Sequence, residues 1–182
     1  MGLLNRLTSR GELAPPIAQA LERAKGEHVL AYAVDDNTGA HVVATTYALA
    51  VVTSTGERGL RRRWLSVDTG SWEPETATLT VTWADGRRAA QWSFRNQENQ
   101  ENRQTLLPET LRERVQASVV LSTSLALGDR RTGRVAIRQD FETRELICQT
   151  ILGRHSRADD PEVQAQVHAA LAHLKEQVGL PE

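Results

Sequence analysis

The sequence carries a single cysteine, Cys148, among 182 residues. That excludes an internal disulfide framework and any cysteine-rich metal site. Of its 22 basic side chains only Lys25 and Lys175 are lysine, and alanine is abundant. This bias reads as a GC-rich bacterial genome, and it raises the number of arginine clusters without any selection for a ligand. Aromatics are scarce, at 4% of the chain. No run approaches the ~18–20 apolar residues needed to cross a bilayer as a helix. Net charge is also missing: the formal value is −1, which excludes global charge as the basis of nucleic-acid binding and leaves only local patches. The motifs of several chemistries are missing too. There is no G-x-x-x-x-G-K, G-x-G-x-x-G, G-x-S-x-G or H-E-x-x-H.

What remains is the composition of an ordinary globular protein, 40% hydrophobic and 25% charged, sized for one domain or two small lobes. The opening "MGLLNRLTSRGELAPP" is a poor signal peptide. Arg6 stands where a myristoylation motif needs Ser or Thr. Residues 1–13 are expected as a flexible arm, and the protein is expected in the cytoplasm.

A first helix is predicted over 15–25. Pro15 and Pro16 suit its first turn, Ile17, Leu21 and Ala24 form its apolar stripe, and Gly26 stops it. From residue 28 the pattern is β. "HVLAYAV" is a strand, and "HVVATTYALAVVTS" is a long β-rich run, bent or split near Thr46. "LRRRWLSV" follows, and Asp68-Thr69-Gly70 reads as a turn. Ala77, Leu79, Val81 and Trp83 then alternate with threonines, giving one apolar face and one polar face. Asp85-Gly86 predicts a tight hairpin turn. That turn sets Val81 opposite Ala90, Leu79 opposite Trp92, Ala77 opposite Phe94, and Trp83 opposite Arg88 as a cation–π pair.

The polar stretch 96–104 reads as a linker. After it, "LPETLRERVQASVV" predicts a helix with Leu111, Val115 and Val119 on one face. A strand is expected from about 121, then strands "GRVAIRQ" and "RELICQTIL" around a "DFET" turn. The last helix is predicted over 161–178, capped by Asp160, opened by Pro161 and closed by Gly179. Its stripe is Val163, Val167, Leu171, Leu174 and Val178. The fold class is therefore α+β, mainly antiparallel sheet. Its parts are a helix-plus-β unit at 14–120 and a β-plus-helix unit at 121–182, packed together as one unit.

The succession "TTYALAVVTSTG", "RRRWLSVDTGSW", the hairpin "TLTVTWADGRRAAQWSF" and a capping helix "LPETLRERV" resembles the bacterial pleckstrin-homology-like modules, over about residues 27–120. The whole chain, especially "LRERVQASVV" and "DDPEVQAQVHAALAHLKEQVGL", is similar to an uncharacterised actinobacterial protein family, a resemblance that implies fold and host but no activity.

Candidate sites are few. His28 and His41 could be cross-strand neighbours, yet two histidines without a carboxylate or thiolate make no metal site. "RHSRADD" holds His155, Ser156 and Asp160, the residue types of a hydrolase triad, but Asp160 already has a capping role. Cys148 alternates with apolar neighbours as a buried structural thiol does. No catalytic residue, metal ligand or cofactor is therefore expected. The basic clusters remain. Arg61, Arg63, Trp64, Arg87 and Arg88 are the candidate partner or anionic-ligand site, although strand alternation turns Arg62 away from Arg61 and Arg63. Arg130, Arg131, Arg134 and Arg138 form a second set suited to forked bonds with phosphate.

These residues point to a non-catalytic binding or scaffolding module for another protein or a second copy, engaged through a sheet edge or the strand around Trp64. An alternative is a peripheral binder of anionic lipid headgroups, and a third reading is a small hydrolase-like enzyme. Nucleic acid is not expected as a partner, because Trp92 and Phe94 belong to the core and leave no stacking platform.

Overall fold

The structure is a computed structural model that describes residues 13–95, 106–128 and 130–181. It is an α+β fold dominated by antiparallel sheet. A short helix, Pro15–Ala20 (α1), precedes a four-stranded meander of Val29–Val34 (β1), His41–Thr45 (β2), Ala48–Val52 (β3) and Arg58–Arg63 (β4). One 3-10 turn, Trp64–Ser66, carries the chain into a second meander of Val67–Glu73 (β5), Thr78–Trp83 (β6) and Ala90–Ser93 (β7). A helix, Leu106–Ser118 (α2), follows. It runs directly into Val119–Ser124 (β8), which joins Gly133–Gln139 (β9) and Leu146–Leu152 (β10) in a third sheet, ordered β10-β9-β8. The chain closes on Pro161–Val178 (α3).

The long β-rich run divides at Thr45 and Thr46 because the Thr45 hydroxyl accepts the Ala48 N–H at 2.9 Å, and that bond folds the chain back within three residues. Such a side-chain-closed turn competes with the ladder and ends the strand. The hairpin register follows the alternation: Leu79 faces Trp92 and Val81 faces Ala90. At its tip the strands part after Trp83, and the Gly86 N–H closes a turn on Trp83 O. Trp83 consequently lies opposite Val67 of β5, and the guanidinium over its ring, at 4.6 Å, is that of Arg62. This replaces the expected Trp83–Arg88 pair.

Other expectations need correction. Asp68-Thr69-Gly70 is not a turn; it lies within β5. Gly70 is there because α2 crosses β5 at that point, and a Cβ would fall inside van der Waals contact of Leu111 Cδ2. The first helix ends at Ala20, and Gly26, at φ 79°, serves a later loop. Leu21 is still fully buried. Val119 is 38% exposed at the start of β8 and not part of the α2 stripe. His28 and His41 lie at opposite ends of the β1–β2 hairpin, since His41 pairs with Val34 while His28 O accepts the Thr46 N–H. The linker predicted at 96–104, and the arm at 1–13 apart from Leu13, lie outside the described residues.

Three apolar clusters hold the elements. The largest lies between the two meanders and α2, with Leu49, Trp64, Leu79, Phe94, Leu107 and Leu111. The second sits between the third sheet and α3, around Leu127, Val135, Ile137, Val163 and Leu174. In the third, Ile17 and Leu21 cover Val43, Ala50 and Val52 on the outer face of the first sheet. The α3 boundaries match the cap signals: Asp160 accepts the Glu162 N–H at 2.9 Å, and Gly179 adopts φ 70°.

Candidate interaction surface

Strand alternation separates the arginines of β4 onto two faces. Arg61, opposite Ala50, is on the outer face. There it forks onto Glu27, Nη1 to Oε1 at 2.9 Å and Nη2 to Oε2 at 2.8 Å. The Glu27 side chain is fully buried and also accepts from the Ala24 N–H and the Thr45 hydroxyl. Burial works to raise the Glu27 pKa, but the bonds from Arg61, Thr45 and Ala24 outweigh it and hold the carboxyl below its ordinary value. Arg63 donates to Asp140 at 2.5 Å and pairs with Glu142 at 3.3 Å. The bond to Asp140 raises the Arg63 pKa against the opposing effect of burial. Trp64 is 1% exposed, and its Nε1–H donates to Thr45 O at 2.9 Å.

Arg61 and Trp64 are thus committed inside the protein, while Arg63 is half exposed and paired with Asp140 and Glu142. Arg87 and Arg88 are exposed on the β6–β7 tip, where Arg87 pairs with Asp85 at 3.3 Å and Asp85 also accepts from Arg62 at 2.9 Å. The tip therefore associates with the Arg62 face of β4 and not with Arg61 and Arg63.

The second arginine set disperses in the same way. Arg131 bonds Asp160 and Glu162 at the start of α3, and Arg134 bonds Asp68. Arg138 is 2% exposed. It donates to Trp64 O at 2.9 Å, Leu65 O at 3.1 Å and Val67 O at 2.6 Å, and to the Ser118 hydroxyl. One side chain from β9 thereby satisfies carbonyls at the corner between the first two sheets and meets the C-terminal end of α2, where a cation is favoured. Burial pulls its pKa down to about 10. Arg114 of α2 stacks at 4.0 Å over the Phe141 ring beyond β9, and burial lowers its pKa as well. Sequence reasoning placed Arg138 in an anion site, and nothing local could have corrected it: the three carbonyls it satisfies lie more than 70 residues away.

The hydrolase-like trio is also spoken for. Asp160 caps α3, the Ser156 hydroxyl donates to Thr132 O at 2.8 Å, and His155 occupies a left-handed turn position at φ 66°. Among the described residues, no group of three or more His, Cys, Asp or Glu is placed to hold a metal ion. A hollow of about 190 Å³ is lined by Ser66, Ala84, Asp85, Gln149 and Thr150. That is below the ~300 Å³ typical of small-molecule sites.

The exposed apolar features lie elsewhere. Ile147 of β10 is 37% exposed and Val120 of β8 is 41% exposed. Both strands are edges of the third sheet, and neither contains a charged residue or a proline. Edge β4, by contrast, is "RGLRRR", a charged margin of the kind that discourages pairing. β1 and β5 pack against α2. Comparison of the chain with protein-family models, with curated proteins and with solved structures gives no match.

Proposed function

We propose that the protein is a non-catalytic binding module of the cytoplasm, in which a pleckstrin-homology-like β unit carries a second lobe whose open sheet edge receives a protein partner. The pleckstrin-homology-like reading draws support from the order of elements over residues 29–118: a four-stranded meander, a three-stranded meander and a helix packed against both. The observation that carries the binding reading is β10. It is a seven-residue edge strand, "LICQTIL", rich in β-branched and apolar residues and free of charge. Such an edge presents unpaired backbone donors and acceptors to an incoming strand. The arginine candidates supply less, because Arg61 is turned inward onto Glu27, Arg63 is already paired with Asp140 and Glu142, and Trp64 is buried.

The test is differential capture from host lysate at physiological salt. A protein recovered with the wild type, lost with Ile147→Lys and retained with the Arg87→Glu/Arg88→Glu double variant carries the edge reading. Retention with Ile147→Lys and loss with the arginine reversals refutes it in favour of an anionic ligand at the β6–β7 tip.

A further inference from the structure

The β10 strand reads nearly the same in both directions. In "LICQTIL", Leu146 mirrors Leu152, Ile147 mirrors Ile151, and Cys148 mirrors Thr150, with Gln149 at the centre. Antiparallel pairing of two identical strands about a two-fold axis at Gln149 therefore sets Leu against Leu, Ile against Ile and Gln against Gln, with the small Cys148 against Thr150. Apolar residues meet apolar residues on both faces.

The backbone agrees with that register. The Asp140 N–H bonds Glu145 O at one end of the β9–β10 ladder, and the Gly153 N–H bonds Thr132 O at the other. With the continuous register between them, hydrogen-bonded pairs fall on alternate residues, so Ile147, Gln149 and Ile151 turn their N–H and C=O groups toward β9. Those of Leu146, Cys148, Thr150 and Leu152 turn outward to the open edge. A two-fold axis at Gln149 brings Cys148 opposite Thr150 and Leu146 opposite Leu152, which are the residues with free backbone groups. On the face shared with Arg138, the exposed Ile147 would meet Ile151 of the second copy.

The edge strands β8 and β4 lack this property. In β8, "VVLSTS" paired with itself sets Val119 against Ser124 and Val120 against Thr123. In β4, self-pairing sets arginine against arginine, a like-charge contact that opposes association. A net charge of −1 adds no global repulsion between copies.

We propose that the partner of the β10 edge is β10 of a second copy of this chain, joining two three-stranded sheets into one continuous six-stranded sheet across a two-fold axis at Gln149. This rests on the edge-binding reading above and names its occupant.

The experiment reads both assembly and register. Purified full-length protein is measured by sedimentation up to about 100 μM, enough to register a micromolar complex. The expected result is a dimer that dissociates with Thr150→Pro, which removes only an outward N–H, and with Ile147→Lys, which puts a charge on an exposed position. Circular dichroism confirms that either variant is folded; Ile147→Lys carries the test if the proline variant is not.

Register is then read by disulfide trapping in a Cys148→Ala background. Gln149→Cys is expected to cross-link under mild oxidation, because residues facing across a two-fold axis have Cα atoms ~4.5–5.5 Å apart. Ile147→Cys is expected to stay uncross-linked, since its copy lies four residues along the strand, about 13 Å away.

A wild type that is monomeric throughout overturns the proposal, as does a dimer indifferent to both edge variants or one trapped at position 147 and not at 149. A monomer that nonetheless captures a protein in an Ile147-dependent way leaves the edge reading standing and removes only the self-pairing.

Discussion

Replacing Arg138 by methionine tests how the third sheet is joined to the corner between the first two. The side chain is 2% exposed and makes four close contacts, to Trp64 O, Leu65 O, Val67 O and the Ser118 hydroxyl, with no carboxylate among them. Hydrogen bonds from a charged donor are worth about 1.5–3 kcal/mol each, so the low end gives about 6 kcal/mol for the set. The low end applies because Leu65 O keeps the Gln149 side-chain donor and Trp64 O keeps the Val67 N–H. Against this stands the cost of burying the charge. The fall in pKa from 12.5 to about 10 corresponds to about 3 kcal/mol at ~1.4 kcal/mol per unit. The expected net loss on Arg138→Met is therefore about 3 kcal/mol, or a fall in Tm of roughly 6–12 °C for a chain of this size. Urea and thermal unfolding followed by circular dichroism measure it. Arg138→Lys keeps a charge but loses the planar fork, and it should fall between the two. A methionine variant as stable as the wild type, or more so, would refute the reasoning. It would mean that the buried charge costs as much as its bonds return, as in some buried ion clusters.

Gly70→Ala should destabilise by about 1–3 kcal/mol in urea melts, because the added methyl meets Leu111 and pushes α2 off β5; an unchanged midpoint would mean that α2 does not sit as described. The depressed carboxyl of Glu27 contributes stability that is fully present above its unfolded value of 4.5 and is lost as pH falls through its lower folded value. Glu27→Gln should accordingly be less stable than the wild type at pH 7, with the gap closing as pH falls below 4.5; a gap constant with pH would remove Glu27 from the acid response. Arg87→Glu/Arg88→Glu, both exposed, should shift stability by no more than about 0.5 kcal/mol. If that double variant abolished binding to anionic vesicles seen with the wild type, the lipid alternative would displace the proposed function.

Local physics made most of the elements legible. The β6–β7 register followed from alternation, which sets Leu79 against Trp92 and Val81 against Ala90, but the expected two-residue turn at Asp85-Gly86 is replaced by a six-residue connection between Trp83 and Ala90. The α3 boundaries followed from Asp160, Pro161 and Gly179, whose conformational preferences act within one turn of helix. The same reasoning failed where a residue had a distant cause. Gly70 carries a turn signal, but it answers to Leu111 packed against it.

The arginines show the limit most plainly. The sequence determined how many there are and, through strand alternation, that Arg62 parts from Arg61 and Arg63. Only the tertiary structure decided that Arg61 meets Glu27, that Arg63 meets Asp140 across 77 positions, and that Arg138 reaches the corner after β4. A guanidinium serves equally well for solvent, an anionic ligand or an internal carbonyl, and its local sequence is the same in all three cases. The pseudo-palindrome of β10 was present in the sequence throughout. It gained meaning when the sheet order left that strand at an edge, since which strand lies outermost is set by long-range pairing and not by the strand itself.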